Sequence, residues 1–282
     1  MSKIAIVTDS TAYIPNDLVQ QYLISVAPQV LIWGDEVFED GVDIQPGEFY
    51  TRLKNAKIMP TTSQVSPKAF KDIFDQRLEE GYQILTILVS EQLSGTLASA
   101  IQARELLSGA PIEIVDSRTT AMAMGFQVLA AARAAADGAT LADCKAIAIK
   151  SREHTGVIFA VNTLEFLHRG GRIGGAARLL GTALNMKPIL EVTGGRVEPI
   201  QRVRTRSKSL NRLVELVEER IAGRQPVRLA TLHANSPEDA KTILKATSEK
   251  VNAVETIFSE VSPVVGTHTG PGTVGIAFMA GM

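Results

Sequence analysis

Short apolar runs alternate with longer amphipathic stretches along the first half of the chain. Apolar, β-branched runs of about four to eight residues are typical of buried strands. Several of the stretches between them begin at serine or proline, and the stretch from Ser66-Pro67 to Gly81 has both a clear start and a clear stop of a helix. Strands that alternate with helices predict an α/β fold with a mainly parallel sheet flanked by helices.

This half also contains a small β excursion near residues 30–45, because turn signals at Gly34-Asp35 and Asp40-Gly41 flank Val37-Phe38. The predicted strands are Lys3–Thr8, Ile24–Trp33, Ile84–Val89 and Ile112–Val115. The predicted helices are Asn16–Leu23, Gln45–Lys54, Ser66–Glu80, Ser94–Leu107, Thr119–Ala136 and Leu141–Arg152.

The pattern changes after about residue 155, where strands are no longer followed regularly by helices. A predicted hairpin, Pro188–Val192 with Val197–Val203, is preceded by a strand and two short helices, Gly156–Val161, Leu164–His168 and Ala176–Leu184. The remaining predicted elements are Ser207–Ala222, Val227–His233, Pro237–Glu249, Val254–Glu260 and Val274–Met279. The chain of 282 residues is therefore expected to form an N-terminal α/β domain, 1–155, and a C-terminal α+β domain, 156–282.

Composition excludes several classes of protein. The 29 basic and 30 acidic residues balance, which argues against a general nucleic-acid binder. A single cysteine, Cys144, rules out an internal disulfide framework. The chain has neither a recognisable signal peptide nor an apolar run long enough to span a membrane, so a cytoplasmic location is expected.

Two clusters of hydroxyl residues are the first candidates for chemistry. Thr61-Thr62-Ser63 precedes one predicted helix and Ser94-Gly95-Thr96 opens the next, which would place both at the same edge of a parallel sheet. Free amides at a helix start bind carboxylate or phosphate, and Gly95 leaves room for a ligand. No His, Lys or Asp adjoins either cluster to activate a nucleophile, so the pattern favours holding an oxyanion. Ordinary helix caps remain the structural alternative.

Further polar groups lie in the second half. His268 is predicted in a dense Gly266–Gly272 turn, where it could face an anion or serve as a structural residue. Arg202, Arg204 and Arg206 alternate along a predicted strand and would form either a basic stripe for phosphate, nucleic acid or an acidic partner, or a solvated face. No His, Cys or Asp cluster has metal-ligand spacing, and no nucleotide-binding or serine-elbow motif is present.

In their order along the chain, these motifs resemble the DegV family of bacterial fatty-acid-binding proteins. The matching segments are Ile6–Thr11, Pro60–Gln64, Leu93–Thr96, Val115–Ser117, Leu167–Ile173 and Gly266–Gly272. The resemblance implies a non-catalytic carrier that encloses one long-chain fatty acid, such as palmitate or stearate, between two domains. It implies that Thr62 and Ser94 hold the carboxylate with His268 nearby; Ser63 and Gly95 are secondary candidates. It implies no metal and no cofactor.

The resemblance also implies a partner. Some family members are the acyl-carrying subunit of a fatty-acid kinase, whose separate ATP-binding subunit phosphorylates the bound carboxylate for phospholipid synthesis. Arg169 and Arg172, in the Arg-Gly-Gly-Arg segment, are candidates for docking that kinase. Neither nucleic-acid binding nor stable membrane insertion is expected.

The expected chemistry suits a fatty acid. Hydroxyls and helix-start amides would bond the buried carboxylate without a fixed counter-charge, and aliphatic residues such as those in Leu164–Leu167 and Leu179–Ile189 would line the tail pocket. A rival hypothesis is a small-molecule hydrolase or phosphotransferase that uses Ser94 and His268 within hydrogen-bond reach, about 3 Å. A third is a regulator that binds nucleic acid through the three arginines at 202, 204 and 206.

Overall fold

The computed structural model describes residues 3–181 and 186–282. Its strands are β1 (Lys3–Asp9), β2 (Ser25–Ala27), β3 (Val30–Trp33), β4 (Glu36–Glu39), β5 (Thr61–Ser63), β6 (Tyr82–Leu88), β7 (Ile112–Asp116), β8 (Thr155–Ala160), β9 (Lys187–Thr193), β10 (Arg196–Val203), β11 (Val227–His233), β12 (Glu255–Ile257) and β13 (Val274–Ala280).

The described ranges also contain ten α-helices. They are α1 (Asn16–Gln21), α2 (Pro46–Leu53), α3 (Pro67–Glu79), α4 (Thr96–Glu105), α5 (Ala121–Ala136), α6 (Leu141–Ser151), α7 (Glu165–Arg169), α8 (Arg206–Ile221), α9 (Pro237–Val251) and α10 (Pro263–Thr269), with 3₁₀ helices at Ser10–Ala12 and Gly174–Leu179. The strong signals at the ends of α3 are confirmed, because the Ser66 hydroxyl accepts a bond from the Ala69 amide and Gly81 has a positive φ.

The first sheet is parallel, with strand order β2-β1-β6-β7. Side chains alternate between its two faces, as the pleat requires. Ile84 and Leu88 of β6 join the apolar cluster that includes Phe70 of α3, whereas Leu85 and Ile87 join the cluster that includes α5. The predicted parallel sheet flanked by helices is therefore confirmed.

The second sheet has six strands in the order β10-β9-β8-β13-β11-β12, with β11 and β12 parallel and the other pairs antiparallel. Helices α8 and α9 pack on one face, and α5 contacts both this sheet and the first. The side chains from Ala121 to Leu129 are all buried, and small alanines allow both sheets to approach α5 closely. The mixed sheet confirms the predicted α+β character of the second half.

The limits 1–155 and 156–282 stay a prediction. The strands of the first sheet end at Asp116 and those of the six-stranded sheet begin at Thr155. The largest apolar cluster, however, contains residues from both halves, including Ile87 and Phe159. None of the helices in the described ranges is long and apolar enough to cross a membrane.

The first hydroxyl cluster does not lie at the edge of the parallel sheet, so that prediction was wrong. Thr61–Ser63 forms β5, which pairs with β3 in a separate antiparallel sheet of order β4-β3-β5, with Thr62 opposite Leu31. The predicted β excursion therefore includes a third strand from beyond α2. Two β-branched threonines suit a pleated strand, and the local sequence did not reveal which strand they would join.

The structure corrects three other predictions. His268 lies in helix α10, not in a turn, because Pro263 starts a helix that ends before Gly270. Strand β10 ends at Val203, so Arg204 follows the strand and Arg206 begins α8, where it pairs with Asp239. The predicted stripe of three arginines along a strand is therefore absent.

The third correction concerns the predicted helix Ala176–Leu184. Its first part belongs to the 3₁₀ helix Gly174–Leu179, and residues 182–185 lie outside the described residues.

Candidate functional site

A cavity of about 1020 Å³, including its open mouth, lies between the first sheet, the second sheet and the small β4-β3-β5 sheet. Its walls are predominantly apolar, and the second sheet contributes Val157, Phe159, Val192, Val197 and Leu232. Of the segment Leu164–Leu167, which was expected to line a tail pocket, Leu167 lines this cavity. The described residues of Leu179–Ile189 do not line this cavity, and residues 182–185 lie outside the described ranges. The shape and chemistry suit a ligand with a long apolar part.

Thr62 and His268 form one polar side of the cavity. Strand β5 carries Thr62 and helix α10 carries His268, and the Thr62 Oγ1 lies 2.7 Å from the His268 Nε2. The two residues are 206 positions apart in the chain. The small sheet and the C-terminal part of the chain therefore build this side together.

Burial, followed by the positive charge of Arg172, lowers the pKa of His268 to about 4. The imidazole is therefore neutral at pH 7. Its Nδ1 is buried and has no hydrogen-bond partner among the described residues. It lies against Gly170, where a Cβ would be only 2.0 Å away.

The environment of the ring also selects its tautomer. Because a buried N–H donor without an acceptor costs more than a buried ring nitrogen without a donor, we infer that the proton lies on Nε2. His268 then donates to the Thr62 hydroxyl oxygen, and the hydroxyl proton of Thr62 remains free to bond a ligand.

Ser94 forms the second polar side, at the carboxyl end of β6. Gly95, not Ser94, is the residue that caps α4, and no side chain caps this helix. The Ser94 Oγ lies 2.8 Å from the Thr96 Oγ1 and accepts a longer bond, 3.3 Å, from the Thr96 amide. Ser94 therefore remains exposed to the cavity and is held from behind by Thr96.

The secondary candidates have different positions. Ser63 lines the cavity. Gly95 does not line it, but a Cβ there would lie 2.1 Å from the Gln64 Oε1. Gln64 lines the cavity and donates to the Ser99 Oγ at 3.0 Å. The missing side chain of Gly95 therefore makes room for Gln64 between β5 and α4.

Arg172 also belongs to the wall of the cavity, so the expected cradle without a fixed positive charge was wrong. Its guanidinium is half-buried and donates to the Leu93 carbonyl at 3.0 Å and to the Gly170 carbonyl at 2.7 Å. A second cavity, of about 720 Å³ with its mouth, shares Thr62, Arg172 and His268 with the first and also includes Arg169. Arg169 is 58% exposed and pairs with Glu165.

Sequence reasoning missed Gln29, which lines the cavity although it is only 2% exposed. Its side-chain amide bonds the Thr96 hydroxyl. A polar residue next to the apolar run Val30–Ile32 was an available signal, but its partner 67 positions away could not be read from the sequence. No group of three or more metal-ligating side chains occurs within residues 3–181 and 186–282.

Comparison with known proteins places the whole chain in one family. The model of the family described as "Uncharacterised protein, DegV family" matches residues 3–281. A DegV domain-containing protein of Streptomyces coelicolor is 38% identical over 276 residues, which cover 97% of each chain.

Two solved structures share the fold. The first is described as fatty acid binding of a DegV family protein from Thermus thermophilus. It has a TM-score of 0.93 and 32% sequence identity to this chain, and the match covers 99% of each chain. The other, of DegV, a fatty acid binding protein from Bacillus subtilis, has a TM-score of 0.90 and 32% identity and covers 99% of this chain and 100% of that one. This chain belongs to the DegV family.

Proposed function

We propose that this protein is a carrier that binds one long-chain fatty acid, with the carboxylate between Thr62 and Ser94 and the tail in the apolar cavity. The observation that carries the proposal is that both hydroxyls line the same predominantly apolar cavity, although Thr62 lies in strand β5 and Ser94 in the loop between β6 and α4. The fatty-acid binding described for the Thermus and Bacillus proteins supports it.

The physical chemistry of a fatty acid suits this arrangement. Burying the tail contributes about 0.8 kcal/mol per CH₂ group. The carboxylate loses its hydration on entry, so it needs hydrogen bonds from the protein. Thr62 and Ser94 supply hydroxyl donors, and the nearby Arg172 adds a favourable positive charge.

We further propose that the bound acid is presented to a separate ATP-binding kinase subunit. A carboxylate oxygen would attack the γ-phosphorus of ATP, the bond between that phosphorus and the bridging oxygen to ADP would break, and ADP would leave. The product, an acyl phosphate, would supply phospholipid synthesis. The second cavity supports this step, because it includes the exposed Arg169 and shares Thr62, Arg172 and His268 with the first cavity.

The rival hydrolase or phosphotransferase needs Ser94 paired with His268. In this structure Ser94 bonds Thr96, and the His268 Nε2 bonds Thr62. Thr62 is not a better nucleophile, because a histidine with a pKa of about 4 is a weak base and its Nδ1 has no orienting partner among the described residues. The geometry favours holding a carboxylate over attacking a substrate.

Fatty-acid binding is tested by denaturing the purified protein, extracting it with organic solvent and identifying acyl chains by mass spectrometry. Protein freed of lipid is then titrated with palmitate. We expect about one acyl chain per protein and saturable binding of palmitate. Absence of both would overturn the carrier hypothesis.

The kinase step needs a separate test. The palmitate-loaded protein is incubated with ATP and each ATP-binding kinase subunit encoded by the source organism, and acyl phosphate is trapped with hydroxylamine. We expect the hydroxamate of the bound acid with one such subunit, and less of it for Arg169→Ala. Formation of no hydroxamate with any of them would remove the kinase partnership and leave the binding proposal intact.

A further inference from the structure

A buried carboxylate sets the orientation of the Gln29 amide. Asp9, at the end of β1, accepts bonds from the Thr11 amide at 3.0 Å, the Thr11 hydroxyl at 2.7 Å and the Val89 amide at 2.8 Å. Burial raises the pKa of Asp9 and these bonds oppose the rise. The Gln29 side chain lies near enough to Asp9 to lower its pKa slightly. Since the Thr11 and Val89 groups donate, Asp9 acts as an acceptor, and a Gln29 side chain that lowers its pKa faces it with the NH₂ group.

The backbone of Gln29 is fixed as well. Its amide donates to the Ser10 Oγ at 3.1 Å, and its carbonyl accepts from the Asp40 amide at 2.9 Å. Ser10 in turn donates to the Asp40 carboxylate at 2.6 Å. These bonds fix the backbone of Gln29, and therefore the position from which its side chain extends beside the cavity.

Hydrogen bonds continue from Gln29 to Ser94. The Gln29 Nε2 donates to the Thr96 Oγ1 at 2.9 Å. The Thr96 hydroxyl has one proton and two possible acceptors, the Ser94 Oγ at 2.8 Å and the Gln29 Oε1 at 3.1 Å. The shorter distance favours Ser94, which also accepts from the Thr96 amide. Because the Ser94 Oγ accepts both of these bonds, its own hydroxyl proton can be donated to a ligand in the cavity.

We propose that Gln29 is a positioning residue that, through Thr96, fixes Ser94 as a hydrogen-bond donor to the ligand. This inference rests on the proposed function and specifies the ligand chemistry at that site. His268 does the same for Thr62, so both hydroxyls face the cavity as donors. The head group must then be rich in acceptors, as an ionised carboxylate is, and a long-chain alcohol, which keeps a donor proton of its own, fits less well.

The test compares two ligands with the same tail, palmitate and 1-hexadecanol, on delipidated protein. Gln29→Met keeps the size of the side chain and removes its amide. We expect about tenfold weaker binding of palmitate and a change of less than twofold for hexadecanol, because only the head-group bond to a charged oxygen is lost. Thr96→Val interrupts the same path and should have the same effect, and the double variant should be no weaker than either single variant.

A matched control is Gln127→Met. Gln127 is also fully buried, but it bonds the Ser117 carbonyl and the Thr155 hydroxyl and does not line the cavity. We expect it to lower stability and leave the palmitate-to-hexadecanol ratio unchanged. If Gln29→Met and Thr96→Val weaken both ligands equally, or neither, the positioning role is overturned. If the unmodified protein binds neither ligand, the proposed function itself fails.

Discussion

The two hydroxyls of the proposed head-group site are held in contrasting ways. Ser94 is supported by Thr96, two residues further along, at the junction of β6 and α4. Thr62 is supported by His268, 206 residues away on a helix of the C-terminal part. The direct support of the Ser94 hydroxyl is therefore local in the chain, whereas the support of the Thr62 hydroxyl depends entirely on tertiary packing.

This difference makes the Thr62 side dependent on contacts between distant segments. The amide of Val264, in the first turn of α10, donates to the Asp40 carboxylate at 3.2 Å. The Tyr50 hydroxyl donates to the Val261 carbonyl at 3.2 Å. These bonds hold the helix of His268 against the small sheet and α2. We therefore expect changes on the Thr62 side to be more costly than changes on the Ser94 side.

Thr62→Val should have the largest effect. It removes one donor to the carboxylate and also leaves the buried His268 Nε2 proton without an acceptor, so palmitate binding should weaken about 100-fold. Titration of delipidated protein measures it. Thr61→Val, on the exposed neighbour in the same strand, is the control and should change affinity less than twofold. Unchanged binding by Thr62→Val would show that Thr62 does not hold the head group.

Acidification should weaken the packing around His268. Because the folded protein holds its pKa near 4 while the unfolded chain has about 6.5, stability is full above pH 6.5 and falls as the pH drops towards 4. Because the unfolded chain takes up a proton at this histidine, the free energy of unfolding should fall by about 2 kcal/mol between pH 7 and pH 5.

Urea denaturation at several pH values measures the effect of acidification. His268→Gln, which keeps an N–H donor but does not titrate, should lose less stability over the same range. Parallel pH curves for the two proteins would contradict the low pKa.

Ser94→Ala should have a smaller effect than Thr62→Val. The change removes one donor, but the Thr96 hydroxyl keeps its bond to Gln29, so no buried group loses its last partner. Palmitate binding should weaken about tenfold. Ser108→Ala, at an exposed serine that bonds the Glu105 carbonyl and does not line the cavity, is the control and should change affinity less than twofold. A loss for Ser94→Ala that exceeded the loss for Thr62→Val would reverse the comparison of the two sides.

Arg169→Ala should have the smallest effect on the carrier itself. The side chain is exposed and its pair with Glu165 lies on the surface, where such pairs contribute about 0–1 kcal/mol. Calorimetry should find palmitate affinity within about twofold of the unmodified protein. A large loss of affinity would mean that Arg169 acts on the ligand, not on a partner.

Much of the fold was predictable because its signals are local. The serine cap and glycine stop of α3, the β-branched strands and the alanine-rich α5 depend on neighbouring residues and on hydrophobic period, and the structure agrees with them. The small sheet was only partly predictable. Val30–Trp33 was recognised as β, but its pairing with Thr61–Ser63 depends on contacts about 30 residues apart, which no local pattern encodes.

At the site, the hydroxyls, a glycine and a histidine were evident as residue types from the sequence alone. The order of the motifs along the chain indicated the DegV family, and the comparisons confirm this family. The predicted basic stripe failed because the strand stops at Val203 and the next residues turn into α8. Gln29 was missed because its importance lies in a bond to Thr96, 67 positions away.

The contrast between Ser94 and Thr62 also separates what the amino-acid order establishes from what folding adds. Local propensity and hydrophobic period were enough to predict the strands and helices of the first half, whose alternation indicates a parallel sheet, and the strand-to-helix junction at Ser94, because these elements depend on interactions over a few residues. The partner of Thr62, the protonation state of His268 and the place of Arg172 in the cavity wall were decided only by tertiary structure. Hydrogen bonds and desolvation act over a few ångströms in space, whatever the distance along the chain.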